Sequence, residues 1–216
     1  MLKILHFIFL LFILQTCNSS NNNIVDNNNK NTMNEQTNNH KTDSIVLGGG
    51  CFWCVEAQFK MLNGVDSVIS GYAGGTTINP TYKEVCTGLT GHAEVVKIIY
   101  NPDEINLEKI FEAFWQSHDP TQLNRQGNDI GTQYRSVIFY QNEKQKEIAE
   151  KLKEELIKNQ IYDKEVVTAI EPLNAFYPAE NYHQNYYEGN TEQSYCKYVI
   201  TPKIEKFKKV FKDKIK

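Results

Sequence analysis

The sequence lacks most of the features that would assign it to a common functional class. Its positive and negative side chains nearly balance, with a net charge of −3, so no basic surface indicates a nucleic-acid partner. It contains no glycine-rich nucleotide-binding motif and no internal repeat. Five cysteines among 216 residues are too few for a disulfide scaffold, and their odd number argues against purely structural pairing. A redox or catalytic use of cysteine fits this distribution better.

The sequence also lacks an apolar run long enough to cross a bilayer as a helix, which takes about 20 residues. The run at 4–14 has eleven residues, and Lys3 precedes it, which is the form of a signal peptide. The tetrapeptide LQTC at 14–17 follows and resembles the lipobox of bacterial lipoproteins, in which the cysteine becomes the lipidated N-terminus after cleavage. We therefore predict a signal peptide at residues 1–16 and an exported protein of the cell envelope or periplasm, anchored to the membrane through Cys17.

Residues 17–43 are predicted to form a disordered tether between this anchor and the folded domain. Eleven of the 26 residues at 18–43 are asparagine, and few are apolar. Such a segment buries too little apolar surface to offset the conformational entropy lost on ordering. The tract also argues against the alternative interpretation of the apolar run as a buried helix at the edge of a domain. A single catalytic domain is expected at residues 44–216.

The remaining sequence alternates strand and helix patterns without the regular β-α-β rhythm of a doubly wound sheet. Apolar runs rich in β-branched residues predict strands at 44–47, 65–69, 94–100, 135–140 and 165–170. Asn106 and Asn142 are predicted to cap two helices, and another helix is predicted from Pro202 onward. Since little more than a loop separates the second strand from the third, we expect a mixed or antiparallel sheet. The predicted fold is a single α+β domain with helices packed on the sheet in a ferredoxin-like two-layer core.

The segment GGGCFWCVE at residues 48–56 carries the strongest chemical signal. A buried-strand pattern ends just before it, and an apolar pattern typical of a helix begins at Val55. Cys51 is therefore expected at a strand-to-helix turn, beside the unpaired N–H groups and the positive dipole end of the helix. Such a position lowers the pKa of a thiol, so we predict that Cys51 is a reactive thiolate.

The pair Cys51-x-x-Cys54 has four interpretations. A structural zinc site would need two further ligands at suitable spacing, and the other two cysteines of the domain are isolated, so no metal is expected. A thioredoxin-like oxidoreductase carries such a pair at a helix start, but Phe52 and Trp53 are bulkier than its usual intervening residues. Two inert core cysteines are disfavoured by the three preceding glycines. The fourth interpretation is an enzyme that reduces its substrate with Cys51 and resolves the product with another thiol.

The segment GCFWC at 50–54 resembles the active-site signature of the peptide methionine sulfoxide reductase A family, in its GCFWC subtype. Further blocks resemble the same family and occur in its order across most of residues 44–205. These blocks are VISGYAGG at 68–75, NPTY at 79–82, VCTG at 85–88, GHAEVV at 91–96, DIGTQYRS at 129–136 and YPAENYHQ at 177–184. Because so many blocks match, the resemblance is far more specific than the C-x-x-C pair alone.

The resemblance implies that the protein reduces methionine S-sulfoxide, free or in peptides and proteins, to methionine. A sulfoxide is a poor electrophile until its oxygen is protonated or strongly hydrogen-bonded. The site therefore needs a thiolate aimed at the sulfur and acidic donors around the oxygen. By similarity, Cys51 supplies the thiolate, Glu94 donates the proton, and the hydroxyls of Tyr82 and Tyr134 bind the oxygen. For Glu94 to donate a proton near pH 7, burial has to raise its pKa.

The substrate is expected to be held by three further residues. Phe52 and Trp53 would form an apolar socket for the methyl group of the sulfoxide. By similarity to the family, Asp129 would contact the backbone of a peptide substrate. Among the histidines, His92, His118 and His183 have no obvious catalytic partner in the sequence and are expected to be structural.

The second thiol of the reaction stays open at this point. Attack would leave Cys51 as a sulfenic acid, which condenses with another thiol to a disulfide. Cys54 lies one helical turn away, within reach of such a bond, and is the favoured first resolver. Cys196 matches the C-terminal resolving cysteine of other family members and is the alternative or a relay. Cys86 is expected to be buried and inert.

No bound cofactor is expected. Without a nucleotide-binding motif, the enzyme would depend on a thioredoxin-like protein to reduce its final disulfide, or on dithiothreitol in vitro. The other expected partners are oxidised peptides or proteins and free methionine sulfoxide, and we expect a monomer that binds no nucleic acid. Two other functions fit the C-x-x-C pair, a thiol–disulfide exchange protein that acts on cysteines of its clients and a pure sulfoxide-binding module.

Overall fold

The computed structural model describes residues 41–216. The predicted signal peptide at 1–16, Cys17 and the predicted tether up to residue 40 lie outside the described residues. In chain order, the elements are β1 (Asp43–Gly49), α1 (Phe52–Phe59), β2 (Val65–Ala73), α2 (Tyr82–Cys86), β3 (Ala93–Tyr100), α3 (Leu107–Ser117), β4 (Arg125–Gln126), β5 (Asp129–Ile130), β6 (Ser136–Tyr140), α4 (Glu143–Lys158), β7 (Ala169–Pro172), β8 (Phe176–Pro178), α5 (Tyr186–Gly189) and α6 (Thr201–Val210). Short 3₁₀ turns lie at Thr132–Tyr134 and Asn181–His183, and a π-helical turn lies at Cys196–Ile200.

The main sheet has the strand order β7-β6-β1-β3-β2-β8. All neighbours pair antiparallel except β6 and β7, which pair parallel. The four central strands, β6-β1-β3-β2, are connected through α1 and α3 in the split β-α-β arrangement of ferredoxin-like folds. The prediction of a single α+β domain with a mixed sheet is confirmed.

The helices cover one face of this sheet. Alternate residues of a strand point to opposite faces, so Ile45 and Leu47 of β1 join the large apolar cluster formed with α1, α3 and α6. Val46, between them, joins a smaller cluster on the opposite face together with Val137 and Phe139 of β6. The large cluster also contains Cys51 and Cys54, so the reactive segment is part of the main core.

Most predicted elements form where the sequence patterns indicate. The side chains of Asn106 and Asn142 accept hydrogen bonds from the backbone N–H groups three residues later, at the starts of α3 and α4. The helix predicted from Val55 begins three residues earlier, at Phe52. The strand predicted at 165–170 was placed too early, because β7 extends to Pro172. Since β7 lies at the sheet edge, a proline does not have to donate a ladder hydrogen bond there.

Strand β2 also extends beyond its predicted end, through Gly71 to Ala73. A Cβ atom added at Gly71 would lie 2.5 Å from the carbonyl oxygen of Tyr177 and 2.5 Å from the ring of Phe176. The glycine therefore serves the close approach of β8 to β2 and does not mark a loop.

Among residues 41–216, no helix combines the length and the apolar character that a bilayer crossing requires.

We expect Gly50→Ala to destabilise the fold strongly. Gly50 has a φ of +94°, and a Cβ atom there would lie 2.6 Å from the Cβ of Gln126. Backbone strain and overpacking together should cost about 2–4 kcal/mol of the free energy of unfolding, measured by urea titration. Gly189→Ala is the matched control because nothing lies within 4 Å of its added Cβ. Equal stability of the two variants would contradict this interpretation of the turn before Cys51.

Candidate active site

Cys51 occupies the junction between β1 and α1, as its N-cap residue. Its carbonyl oxygen accepts hydrogen bonds from the N–H groups of Cys54 at 3.0 Å and Val55 at 3.4 Å, which close the first helical turn. Cys51 is 6% exposed and Cys54 is 1% exposed, and both are free thiols. The prediction that Cys51 lies at a strand-to-helix turn with Cys54 beside it is confirmed.

The pKa values of the two thiols shift in opposite directions. The hydrogen bond from the Cys51 thiol lowers the pKa of Cys54 to about 7, and the ammonium group of Lys203 favours the same charge against the effect of burial. Burial raises the pKa of Cys51 well above its usual value, and the hydrogen bond to Cys54 and its charge raise it further. The direction of this pKa shift is opposite to the lowering predicted from the helix end. Desolvation comes first among the causes that raise the pKa of Cys51, whereas the hydrogen bond from Cys51 and the charge of Lys203 favour a negative charge on Cys54.

Glu94 lies on β3 at the floor of the same cluster and is 1% exposed. Its Oε2 accepts a hydrogen bond of 3.1 Å from the backbone N–H of Phe52, the residue that follows the reactive cysteine. Burial raises the pKa of Glu94 to about 8, and the charges of Asp129 and Cys54 add to the effect. At pH 7 the carboxyl group is therefore mostly protonated and can act as an acid, as the sequence predicts.

Two tyrosines face Glu94. Tyr82 lies at the start of α2 and Tyr134 ends a 3₁₀ turn, so different loops bring them to the site. Burial raises the pKa of both hydroxyl groups; the hydrogen bond with Cys86 comes next for Tyr82, and the charge of Glu94 adds for both. Both hydroxyls are therefore protonated donors at neutral pH. Glu180 fixes the first of them, because its Oε1 accepts a hydrogen bond of 2.9 Å from the backbone N–H of Tyr82.

An aromatic wall stands next to the thiols. Phe52 is buried, its ring centroid lies 6.4 Å from that of Tyr82, and the two rings are nearly parallel. Trp53 stacks on Tyr186 with centroids 3.6 Å apart, and its indole N–H donates to Nδ1 of His183 at 3.2 Å. The structure thus places the two predicted socket residues beside Cys51. Tyr186 contacts one face of the indole ring, and His183 binds its N–H edge.

Asp129 lies on β5, a short strand away from the main sheet, and its carboxylate reaches the site. Its Oδ2 accepts a hydrogen bond of 2.8 Å from the hydroxyl of Tyr195. The same hydroxyl is hydrogen-bonded to Cys51, and burial followed by the charges of the two active-site thiols raises its pKa. Tyr195 therefore links the predicted peptide-binding carboxylate to the reactive sulfur.

The remaining two cysteines of the domain differ in their surroundings. Cys196 is fully buried in the π-helical turn beside the thiol pair, and burial and the charge of Cys54 raise its pKa. Cys86, expected to be buried, is exposed at the end of α2. The prediction failed because α2 is a single short turn on the surface, and only Val85 on it is buried.

Four residues of the site escaped the sequence reasoning. Glu180 and His183 lie in the block YPAENYHQ, for which the family resemblance gave no site roles, and His183 was expected only to be structural. Tyr195 directly precedes Cys196, and this adjacency was the available signal. Lys203 left no signal, because it lies in a run of lysines that is typical of a solvated helix face.

No group of three or more histidine, cysteine, aspartate or glutamate side chains in the described part of the chain has the arrangement of a metal site. The cluster of thiols, neutral carboxyl and tyrosine hydroxyls is instead suited to reducing a polar S=O bond. It offers a soft nucleophile, an acid and an apolar wall within one cluster of side chains.

Comparisons with known proteins decide between the interpretations. A family model for peptide methionine sulfoxide reductase matches residues 43–215. This chain belongs to the peptide methionine sulfoxide reductase family. The peptide methionine sulfoxide reductase MsrA of Nautilia profundicola is 55% identical over 165 residues, which cover 76% of this chain and 94% of that protein. The corresponding protein of Natronomonas pharaonis is 53% identical over 174 residues, covering 81% and 98%.

Solved structures agree with this assignment. The crystal structure of reduced Mxr1 from Saccharomyces cerevisiae superposes with a TM-score of 0.68 at 38% identity, covering 74% of this chain and 91% of that one. Methionine sulfoxide reductase A of Corynebacterium diphtheriae gives a TM-score of 0.62 at 38% identity, covering 69% and 75%. The protein is thus an oxidoreductase that reduces methionine sulfoxide, and the thiol–disulfide exchange protein and the binding module are set aside.

We expect the rate of methionine formation in a single turnover to fall as pH rises through about 8, the pKa of Glu94. Below that pH the carboxyl keeps the proton that the sulfoxide oxygen requires, and above it the proton is lost. Glu94→Gln should lower the rate about 10²–10⁴-fold and abolish this decline, because the amide has no such proton to lose. Glu147→Gln, an exposed change on α4, is the matched control. A decline that persists unchanged in Glu94→Gln would exclude Glu94 as its origin.

Proposed function

We propose that this reductase acts on the S epimer of methionine sulfoxide, free or in peptides and proteins, through a Cys51 sulfenic acid that Cys54 resolves. The carrying observation is the buried pair of thiols at the start of α1, which shares one charge next to the protonated Glu94. The resemblance of the segment GCFWC supports the subtype in which both cysteines of the motif take part. The choice of epimer rests on the family resemblance.

In the first step, the sulfur of Cys51 attacks the sulfur of the sulfoxide. Glu94 gives its proton to the sulfoxide oxygen, Tyr82 and Tyr134 donate hydrogen bonds to it, and the thiol proton of Cys51 returns to the carboxylate of Glu94. The oxygen passes to Cys51, so the products are a sulfide and a sulfenic acid, with no net gain or loss of protons. Removing one preorganised donor from such an oxygen typically costs a factor of about 10²–10³.

The apolar wall supports recognition of the methyl group. Phe52 and Trp53 present ring surface next to Cys51, and an enclosed methyl group gains about 0.8 kcal/mol from burial. We propose that the carboxylate of Asp129 accepts a hydrogen bond from a peptide N–H of the substrate, in place of the one it receives from Tyr195. The proposed substrate range therefore includes methionine sulfoxide within a peptide.

Cys54 is the better candidate for the second step. Its pKa of about 7 leaves roughly half of it as thiolate at neutral pH, whereas burial raises the pKa of Cys196 and keeps that thiol protonated. Cys54 also lies within the first helical turn after Cys51. We assign Cys196 to a later exchange, in which it attacks the first disulfide and carries the oxidised pair away from the pocket.

A thioredoxin-like protein then reduces the final disulfide, with dithiothreitol as its substitute in vitro. The sequence offers no nucleotide-binding motif for an internal source of electrons, which supports an external dithiol. Because one chain supplies every side chain of the site, we propose that the protein acts as a monomer.

We also propose that the protein is exported and anchored in the cell envelope or periplasm through a lipid on Cys17. The short apolar run, the tetrapeptide LQTC at 14–17 and the polar tract after it support a signal peptide at 1–16 and a tether at 17–43. The folded domain begins with β1 at Asp43, where the polar tract ends. A tether of this composition would hold the catalytic domain away from the membrane surface.

Three serine variants test the cysteine assignments in single turnovers with a methyl sulfoxide and no reductant. Cys51→Ser should form no methionine, because the variant lacks the sulfur that attacks the sulfoxide. Cys54→Ser should form one equivalent of methionine and accumulate sulfenic acid, and Cys196→Ser should still close a disulfide between residues 51 and 54. Quenched samples analysed by mass spectrometry give the amounts of sulfenic acid and of each disulfide.

Full activity of Cys51→Ser would contradict the proposed reaction. Accumulation of sulfenic acid in Cys196→Ser, with rapid disulfide formation in Cys54→Ser, would assign the resolving step to Cys196 instead.

The anchor is tested by growing cells that express the full chain with labelled fatty acid. We expect label on the wild-type protein and its recovery with membranes, and neither for Cys17→Ala. The Cys86→Ser variant controls for acylation at the exposed cysteine of the domain. Equal labelling of wild type and Cys17→Ala would contradict the lipid anchor.

A further inference from the structure

Lys203 brings a cation to the buried thiol pair from a distant part of the chain. It lies in the first turn of α6, and its Nζ is 3.6 Å from the sulfur of Cys54, a hydrogen-bonding contact. One turn further along both helices, the ring of Phe207 packs on that of Phe59 with centroids 6.2 Å apart. The two helices therefore run side by side, and the packing of their apolar faces determines which residue of α1 the side chain of Lys203 contacts.

This contact occupies Lys203. Within residues 41–216, no carboxylate lies within ion-pair distance of its ammonium group, and the sulfur of Cys54 is its hydrogen-bond partner. The neighbouring lysines of α6 differ, because Lys206 is exposed and Lys208 pairs with Glu205 at 3.3 Å. Lys203 is half-buried, so solvent screens its interaction with the sulfur less than it would an exposed pair.

Within residues 41–216, the structure shows several charged and titratable groups that interact with Cys54 or with its immediate neighbours. They are Cys51 at the start of α1, Glu94 on β3, Asp129 on β5, Tyr195 and Cys196 before and within the π-helical turn, and Lys203 on α6. Lys203 is the one cation of this set. The two carboxyl groups and the other thiols oppose a second negative charge in the cluster.

We propose that Lys203 is the counter-ion of the Cys54 thiolate and that it directs the resolving step to Cys54 rather than to Cys196. The inference rests on the proposed function, in which a Cys51 sulfenic acid forms first. Lys203 is a positioning residue in this step, because it acts on the charge of the resolving sulfur and does not react itself.

The resolving step balances with the groups present. The thiolate of Cys54 attacks the sulfur of the Cys51 sulfenic acid, the S–S bond forms, and the S–OH bond breaks. The leaving hydroxide takes a proton from Glu94 and departs as water. Together the two thiols have lost two electrons, which the sulfoxide accepted when it was reduced to the sulfide. The ammonium group stabilises the attacking charge before the step and has no effect on the neutral disulfide after it.

The pKa values agree with this geometry. The hydrogen bond from Cys51 and then the charge of Lys203 hold the pKa of Cys54 at about 7, against burial. Removing the cation should raise that pKa, and an increase of about one unit would reduce the thiolate fraction at pH 7 roughly fivefold. Burial and then the charge of Cys54 raise the pKa of Cys196.

The test uses the full domain carrying Cys196→Ser, so that only Cys54 can resolve. Single turnovers with methionine sulfoxide are quenched at successive times across pH 6–9, and methionine, trapped sulfenic acid and disulfide are measured in the same samples. In Lys203→Met, disulfide formation should be about fivefold slower at pH 7, its midpoint should rise by about one pH unit, and sulfenic acid should accumulate. Lys203→Arg should restore the midpoint, since it keeps the charge.

Lys206→Met is the matched control, because it removes an exposed lysine from the same helix and should behave as wild type. With Cys196 restored, Lys203→Met should also form a larger share of the disulfide between residues 51 and 196. Thermal unfolding of each variant is measured to check that the variant keeps the fold.

The outcomes separate the two levels of the proposal. Absence of methionine from the wild type would overturn the proposed function itself. Normal methionine formation together with an unshifted midpoint in Lys203→Met would overturn the role of Lys203 alone. Equal slowing of methionine and disulfide formation in that variant would also contradict the inference, because it would place the effect of Lys203 before the resolving step.

Discussion

The site depends on burying three ionisable groups, Cys51, Cys54 and Glu94, in one apolar cluster. Each is no more than 6% exposed, and such surroundings penalise every charge. The cluster therefore favours a single negative charge, and the Cys51 thiol and Lys203 favour its placement on Cys54 by lowering the pKa of that thiol. Glu94 consequently stays protonated at neutral pH. The reduction of a sulfoxide requires a sulfur nucleophile and a protonated acid, and this cluster supplies both.

The fold creates this burial by bringing strand and helix ends from distant parts of the sequence to one place. β1 delivers Cys51 at the start of α1, and the antiparallel partner of β1, β3, delivers Glu94 near its own start. Across the sheet, Tyr72 of β2 pairs in register with Glu94, and its hydroxyl donates to Glu180 at 2.8 Å. The central part of the site is therefore built on strands and a helix start, which hold it more rigidly than loops would.

Local patterns were sufficient for most of the architecture, whereas the family resemblance supplied most of the candidate site residues. The strand before Cys51, the asparagine caps and the short connection between the second and third strands predicted the mixed sheet correctly. The block resemblance pointed to Glu94, Tyr82, Tyr134 and Asp129, which the structure brings into the same cluster as Cys51. The edge strand β7 was placed too early, because a proline ends a central strand but is tolerated on an edge.

The charge distribution could not be predicted in the same way. From the sequence, the helix end favoured a thiolate on Cys51, and nothing indicated how deeply the sulfur is buried or that its neighbour would take the charge. Lys203 lies 149 residues from Cys54 in the chain, so their contact depends on how α6 packs on α1. Tyr195 similarly reaches Asp129 across 66 residues. Such electrostatic neighbours are set by tertiary packing and leave no periodic signal.

The most direct test of this account is a pH titration of the reduced protein, followed by the ultraviolet absorbance of the thiolate. We predict that the wild type gains one thiolate with a midpoint near pH 7, where Cys54 titrates, and that Cys54→Ser loses this transition. The thiol of Cys51 should then ionise only at a much higher pH. A transition near pH 7 that persists in Cys54→Ser and disappears in Cys51→Ser would contradict the account, because it would place the resting charge on Cys51.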